Sequence, residues 1–234
     1  MKKIFLIVIA LFSPSLAWSG VSDLETILVS GVGELNINPD IAYLTLGVET
    51  TDKTAKGGQQ KNAQLSAQVE KILIDRFKIA RDDIKTVSYN VFEDVSYVNN
   101  KRERLGYKVA NSIQVNVRAI KEIGNILDAV ADAGANSVQG IQFDTEKRRT
   151  YEIEALKLAV ENARKKADVI AVSAGRSIKK ALKIDESKAS SGPIAYKSME
   201  SARGASMMAD ASSTTPINSG SLKIVADVAV LFQM

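Results

Sequence analysis

The chain has 234 residues, 45% of them apolar and 25% charged, a composition that builds an ordinary globular core in one domain, with room for an appendage. Of 31 Lys and Arg, two (Lys2 and Lys3) fall in an expected leader; against 27 Asp and Glu the exported chain therefore carries +2, too near neutral to imply a nucleic acid or other polyanion partner. There is no His and no Cys, which excludes a disulfide, a thiolate nucleophile, an imidazole base and the preferred zinc and copper ligands.

Residues 1–19 read as a cleavable secretory signal. Lys2 and Lys3 form its positive end, Ile4 to Phe12 its apolar run, and Ser13-Pro14 break that run. Small residues at cleavage positions follow in either Ser15-Leu16-Ala17 or Ala17-Trp18-Ser19. The run falls well short of the ~20 residues a bilayer-spanning helix needs. Without Cys no lipid can be attached at a leader cysteine, so the expected product is a soluble exported domain over residues 22–234.

Thr26 to Asn38 reads as a strand with Gly31-Val32-Gly33 at its centre. A dinucleotide loop needs a third glycine where Asn36 stands, and no helix pattern follows. The two glycines are therefore expected to admit a neighbouring backbone. Asn38-Pro39-Asp40 is a turn signal, and Ile41 to Thr50 a second strand with Leu44, Leu46 and Val48 on one face. Asp52 to Ile79 reads as a helix with the stripe Leu65, Val69, Ile72, Leu73 and Phe77; Gly57-Gly58 weakens its first turns. Ile84 to Val98 carries Val87, Tyr89, Val91, Val95 and Tyr97 in strand phase, and Asn99 to Arg104 reads as a charged, solvated hairpin tip.

From Tyr107 to Val117 every second residue is apolar apart from Asn111, which marks a strand with a wet face of Lys108, Ser112, Gln114, Asn116 and Arg118. The period then changes: Ile120, Ile123, Leu127 and Val130 lie on one side of a helix closed by Gly134. A strand over Asn136 to Thr145 follows. The order from Ile41 to Thr145 is strand, helix, strand, strand, helix, strand, that of the ferredoxin-like split βαβ core. The fold class expected is α+β: this core, in a mixed and mostly antiparallel sheet, extended by extra N- and C-terminal strands and a long third helix.

That third helix spans Thr150 to Ala174, with the stripe Ile153, Leu156, Val160, Ala163, Ala167, Ile170 and Ala174, and Gly175 at its end. The stripe packs either on the protein's own sheet or along a seam between subunits. Ser177 to Asp185 and Leu222 to Phe232 read as strands. The second is apolar on both faces and belongs inside a sheet or against another chain. Residues 186–221 between them form a long low-complexity loop holding Met199, Met207 and Met208, without the spacing of a metal motif.

No catalytic, cofactor-binding or metal-binding residues are assigned. Glu34 and Asp40, or Glu49 and Asp52, are carboxylates close in sequence, but they sit where turn and surface charges ordinarily sit.

The segments SGVGELNINPDIAYLTLGVET at 30–50, GYKVANSIQVNVR at 106–118, GANSVQGIQF at 134–143 and EALKLAVENARKKADVIA at 154–171 resemble, in this order, the SIMPL-domain family of exported bacterial proteins. Members are also described as periplasmic immunogenic or oxidative-stress-defence proteins. The resemblance implies an α+β exported domain that self-associates into large homo-oligomers, rings included, and is linked to the cell envelope and to oxidative stress. It carries no catalytic residue and no cofactor over to this chain. The function expected is a non-enzymatic periplasmic scaffold with itself as partner, in association with the envelope or its outer membrane and with no small-molecule ligand assigned. Two alternatives stay open, an envelope channel or ring-associated pore and a direct antioxidant acting through surface methionines.

Overall fold

The computed structural model describes residues 25–98, 101–187 and 215–234. In chain order they form β1 (Thr26–Ile37), β2 (Ile41–Asp52), α1 (Ala55–Asp75), β3 (Ile84–Val98), β4 (Lys101–Val117), α2 (Ile123–Asp132), β5 (Ser137–Asp144), α3 (Arg148–Ser173), β6 (Lys180–Ser187) and β7 (Leu222–Gln233). The fold is α+β, and β2 to β5 with α1 and α2 make the split βαβ unit. Their sheet runs in the order β3-β4-β2-β5, and every neighbouring pair is antiparallel.

One face of this sheet is apolar because β2 alternates. Ala42, Leu44, Leu46 and Val48 are buried against α1 and α2 with Val115 and Val117 of β4, while Tyr43, Thr45 and Glu49 point away. Thr54 caps α1 by accepting from Gly57 N at 3.1 Å. The helix stops four residues before the expected Ile79. Lys78 takes a left-handed conformation (φ 57), and Ile79 N bonds back to Leu73 O at 3.1 Å. A lysine at the position glycine usually holds left no stop signal in the sequence. Gly134 does close α2 as its sequence suggests, with φ 112 and Ala135 N donating to Val130 O at 2.8 Å.

The terminal strands do not extend this sheet. They form a second one, in the order β1-β7-β6, with both pairs antiparallel. The physical reason lies in β2, whose two edges are already taken by β4 and β5. After the Asn38-Pro39-Asp40 turn β1 has no edge of β2 to join, and it pairs along its whole length with β7 instead.

α3 covers this second sheet with a stripe that shares Ala163 and Ala167 with the one its periodicity suggests, flanked by Leu156 and Val160, but that leaves out Ile153 and Ile170. Ala155, Ala159, Ala163, Ala167 and Ala171 are all fully buried, whereas Ile153 and Ile170 are 49% and 48% exposed. The cause is across the interface. A Cβ on Gly31 would lie 2.7 Å from Ala163 Cβ and well inside contact with Ala159 O; one on Gly33 would meet Ala155 O and come within 2.5 Å of Ala159 N. Helix backbone rests on strand backbone there, leaving room for alanine methyls and nothing larger. The glycine pair thus admits a backbone, as expected, and the alanine face belongs to the protein's own sheet.

Two crossings join the halves, β1 to β2 and β5 to α3, and they are stitched together. Asp40 N donates to Asp144 O at 3.1 Å, and Asp40 accepts from Glu146 N at 2.8 Å and from the Thr145 hydroxyl at 3.2 Å. Arg148 grips Asp144 through Nε and Nη2 at 2.9 and 2.6 Å. Leading into β7, Thr215 Oγ1 donates to Asp128 of α2 at 2.7 Å and Ile217 packs on the first core.

Candidate interaction surfaces

Among the described residues one small pocket stands beside the first core. Lined by Leu46, Val48, Ser66, Val69, Asn111 and Ile113, it offers about 10 Å³ to the centre of a water molecule, the lower limit for holding one. It adjoins a polar thread. Asn111 Nδ2 donates to Ser66 Oγ (3.0 Å), Ser66 Oγ to Asn62 Oδ1 (3.3 Å), and Asn62 Nδ2 to the carbonyls of Val48 (2.7 Å) and Val109 (3.3 Å). Asn111 therefore interrupts the alternation of β4 because it ties the strand to α1. Its Oδ1 is buried beside the pocket without a protein partner.

The carboxylates close in sequence do not converge. Glu34 pairs with Lys223, Glu49 with Lys108, and Asp52 with Lys61. Lys61 and the Thr54 amide hold the Asp52 carboxyl down at about 2. Among the described residues no group of three or more His, Cys, Asp or Glu is placed to hold a metal ion. Met199, Met207 and Met208 lie outside the described residues.

The wet row of β4 is largely engaged within the chain. Ser112 is buried and accepts from Gln139 Nε2 of β5 at 2.7 Å. At the end of the row Asn116 Nδ2 and Arg118 Nη1 donate to Asp83 at 3.2 and 2.6 Å, and Arg118 Nε donates to Glu146 at 2.8 Å. Arg118 accordingly holds the Asp83 carboxyl below its ordinary range, while the two carboxylates raise Arg118. Tyr43, nearby on β2, is pushed up, first by burial and then by Asp144 and Glu146.

Among the described residues apolar surface is left bare at several places, three of which are taken in turn. The first is β3, an edge strand of 15 residues. Val109 of β4, opposite Val91, is buried under α1, yet Val91 and Tyr89 are exposed, because α1 lies over β2 and β4 and leaves β3 overhanging. Val87 at a bulge, Phe92 and Tyr97 are exposed as well, next to a row of unpaired backbone groups. The basic run expected in the hairpin tip belongs to β4 instead, with Arg102 opposite Tyr97 and Arg104 opposite Val95, and it is partly neutralised, since Arg102 and Arg104 reach Glu93 at 2.6 and 3.4 Å. The second is the outer face of the three-stranded sheet, where Leu28 stands opposite Leu231 and Val32 is exposed. The third is the outward side of α3, with Val169 and Val172 besides Ile153 and Ile170. Sequence periodicity marks the β3 residues as strand but carries no sign of which part of the sheet the helices leave uncovered; the exposed side of α3 is hidden because its large apolar residues and its buried alanines follow different rows.

A family model, SIMPL, described as a protein of unknown function (DUF541), matches residues 27–232. The 26 kDa periplasmic immunogenic protein of Brucella melitensis biotype 1 is 30% identical over 168 residues, covering 68% of this chain and 66% of the relative. Its counterpart in Brucella abortus strain S19 is 29% identical over the same length. The uncharacterized protein YggE of Escherichia coli K12 is 26% identical over 145 residues, 62% of this chain, and the match spans 58% of that relative's length. Among the described residues no helix is long and apolar enough to cross a membrane.

Proposed function

The chain belongs to the SIMPL family, and on that premise we propose that it is an exported periplasmic protein that assembles with copies of itself into a non-enzymatic scaffold serving envelope integrity and tolerance of oxidative stress. The observation that carries the assembly is the overhanging edge of β3. A long strand with open backbone groups and an uncovered row of Tyr89 and Val91 favours pairing with another chain, and no proline blocks it. Export is supported by the pattern of residues 1–19 and by the periplasmic designation of the Brucella relative. With no thiol in the chain, protection by a cysteine peroxidase cycle is not available.

The test is native mass spectrometry of the exported form beside its Val91→Lys variant, with fractionation of the envelope. The expected result is a discrete multiple of the chain mass in the periplasmic or envelope fraction, reduced at least tenfold in population by a lysine on the edge. A wild-type protein that stays monomeric at micromolar concentration would overturn the assembly reading.

A further inference from the structure

We propose that β3 pairs antiparallel with β3 of a second copy about a two-fold axis at Asn90, joining the two four-stranded sheets into one continuous sheet. The proposal rests on the assembly put forward above, and adds which edge meets β3 and in which register. The sheet edges among the described residues are not equal. β1 is closed by its own helix: Val32 N donates to Asn162 Oδ1 at 3.2 Å and Lys166 Nζ to Ser30 O at 3.0 Å, so backbone groups that an added strand needs are already taken. β5 and β6 have 8 residues each against 15 in β3. Among the described residues an open edge as long as β3 is found only on another β3.

The side chains of β3 complement one another under that two-fold. Pairing with β4 sets their faces. Tyr89 and Val91 stand opposite Asn111 and Val109, on the side that carries the helices. Lys85, Asn90, Phe92 and Asp94 stand opposite Gln114, Ala110, Lys108 and Gly106, on the open side. Val87 is the extra residue of the bulge and, one step after Thr86, also turns to the open side. A second β3 centred on Asn90 sets Tyr89 against the partner's Val91 on the helix side. Beyond the extra residue at the bulge, it sets Val87 against the partner's Phe92 and Lys85 against the partner's Asp94 on the open side. Each of these pairs forms twice. Val87, Tyr89, Val91 and Phe92, all exposed in the single chain, each gain an apolar neighbour. The charges agree as well. Glu93 is matched by Arg102 and Arg104 and Asp83 by Arg118, whereas Lys85 and Asp94 are in none of the ion pairs among the described residues. These two charges left over on β3 are opposite in sign and meet across the axis. A slip of one residue sets the apolar side chains against the opposite face, and a slip of two sets Tyr89 against the partner's Glu93, so one register is singled out. Both copies spend the same edge, and the pairing closes on itself.

The absence of Cys from the chain makes the axis directly readable. Residues opposite one another in an antiparallel pair have Cβ atoms about 4.5–5.5 Å apart, close enough for a disulfide to form where a residue faces its own copy. Asn90→Cys, purified reduced and then oxidised with copper phenanthroline at a concentration where the wild type assembles, is expected to run as a covalent dimer on a denaturing gel. Gln142→Cys, on the same face but on β5, is expected to stay a single chain. Lys85→Asp and Asp94→Lys are each expected to lower the dimer population about tenfold in native mass spectra, since each sets like charges opposite one another twice, and the two together are expected to restore it. Circular dichroism of every variant is expected to match the wild type, because all four positions lie at sheet edges. A wild type that is monomeric at micromolar concentration overturns the assembly and this pairing with it. A wild-type multiple without a covalent dimer from Asn90→Cys, an equal yield from Gln142→Cys, or a charge exchange that restores nothing overturns the pairing alone and leaves the assembly to another surface. Should reduced Asn90→Cys itself not assemble, the charge exchange decides.

Discussion

Asn62 is the one fully buried amide of α1, and its two donors are both spent on strand carbonyls. Truncation to alanine leaves those carbonyls without this donor and the Ser66 hydroxyl without its acceptor, and opens space beside a pocket that admits at most one water. Asn62→Ala is expected to cost about 2–4 kcal/mol, read as a lower urea midpoint with an unchanged slope. Asp83 acts through charge. Its carboxyl is held below the ordinary range chiefly by Arg118, so its stabilisation is present above about pH 4 and is lost as pH falls through the depressed value. Asp83→Asn is expected to be about 1 kcal/mol less stable than the wild type at pH 7, with the gap closing below about pH 4 in parallel unfolding curves. At this scale the sequence was legible where a residue type has one physical use. Gly31 and Gly33 announced a close approach. Asn111 announced only an exception, because its partner Ser66 lies on a different element.

Among the elements, α3 separates pattern from packing. Its large apolar residues recur at three and four positions, and that periodicity predicted a buried stripe containing Ile153 and Ile170. The buried row is alanine at every fourth residue, because the surface it meets is glycine backbone. A four-residue step advances 400° around the helix, 40° beyond a full turn by the 100° per residue of an α-helix, so the row winds slowly and follows the twist of the strands beneath. Gly31→Ala is therefore expected to destabilise by about 3 kcal/mol or more, measured by thermal or urea unfolding. Ala163→Gly will not rescue it, since the carbonyl of Ala159 stays in the way. The β3 edge makes the complementary point. Its alternation predicted a strand, while its exposure depends on where α1 happens to end its cover, which no local pattern states.

On the scale of the whole molecule, the order of elements between Ile41 and Thr145 was enough to predict the split βαβ unit, because each of its contacts follows from a hairpin or a crossover of ordinary length. The second sheet was not legible in the same way. β1 finds its partner nearly the full length of the chain away, with Thr26 opposite Gln233 and Ile37 opposite Leu222. Nothing near β1 records that choice. The segments on either side of the junction at Asp40 and Thr145 are likewise far apart in sequence, and the turn signal at Asn38-Pro39-Asp40 gave the bend without its bonding partner.

The pairing of β1 and β6 with β7, and with no other strand, also sets an order in time. A chain made or threaded from its N-terminus can complete the four-stranded sheet once residue 144 has emerged, because all its strands are then present. The three-stranded sheet has to wait for Leu222 to Gln233, and until then β1 and β6 lack the strand that stands between them. Long-range pairing of this kind is the slow step of folding. β1 thus remains unpaired until the last strand arrives, and the three-stranded half of the described fold stays open until nearly the whole chain is available to it.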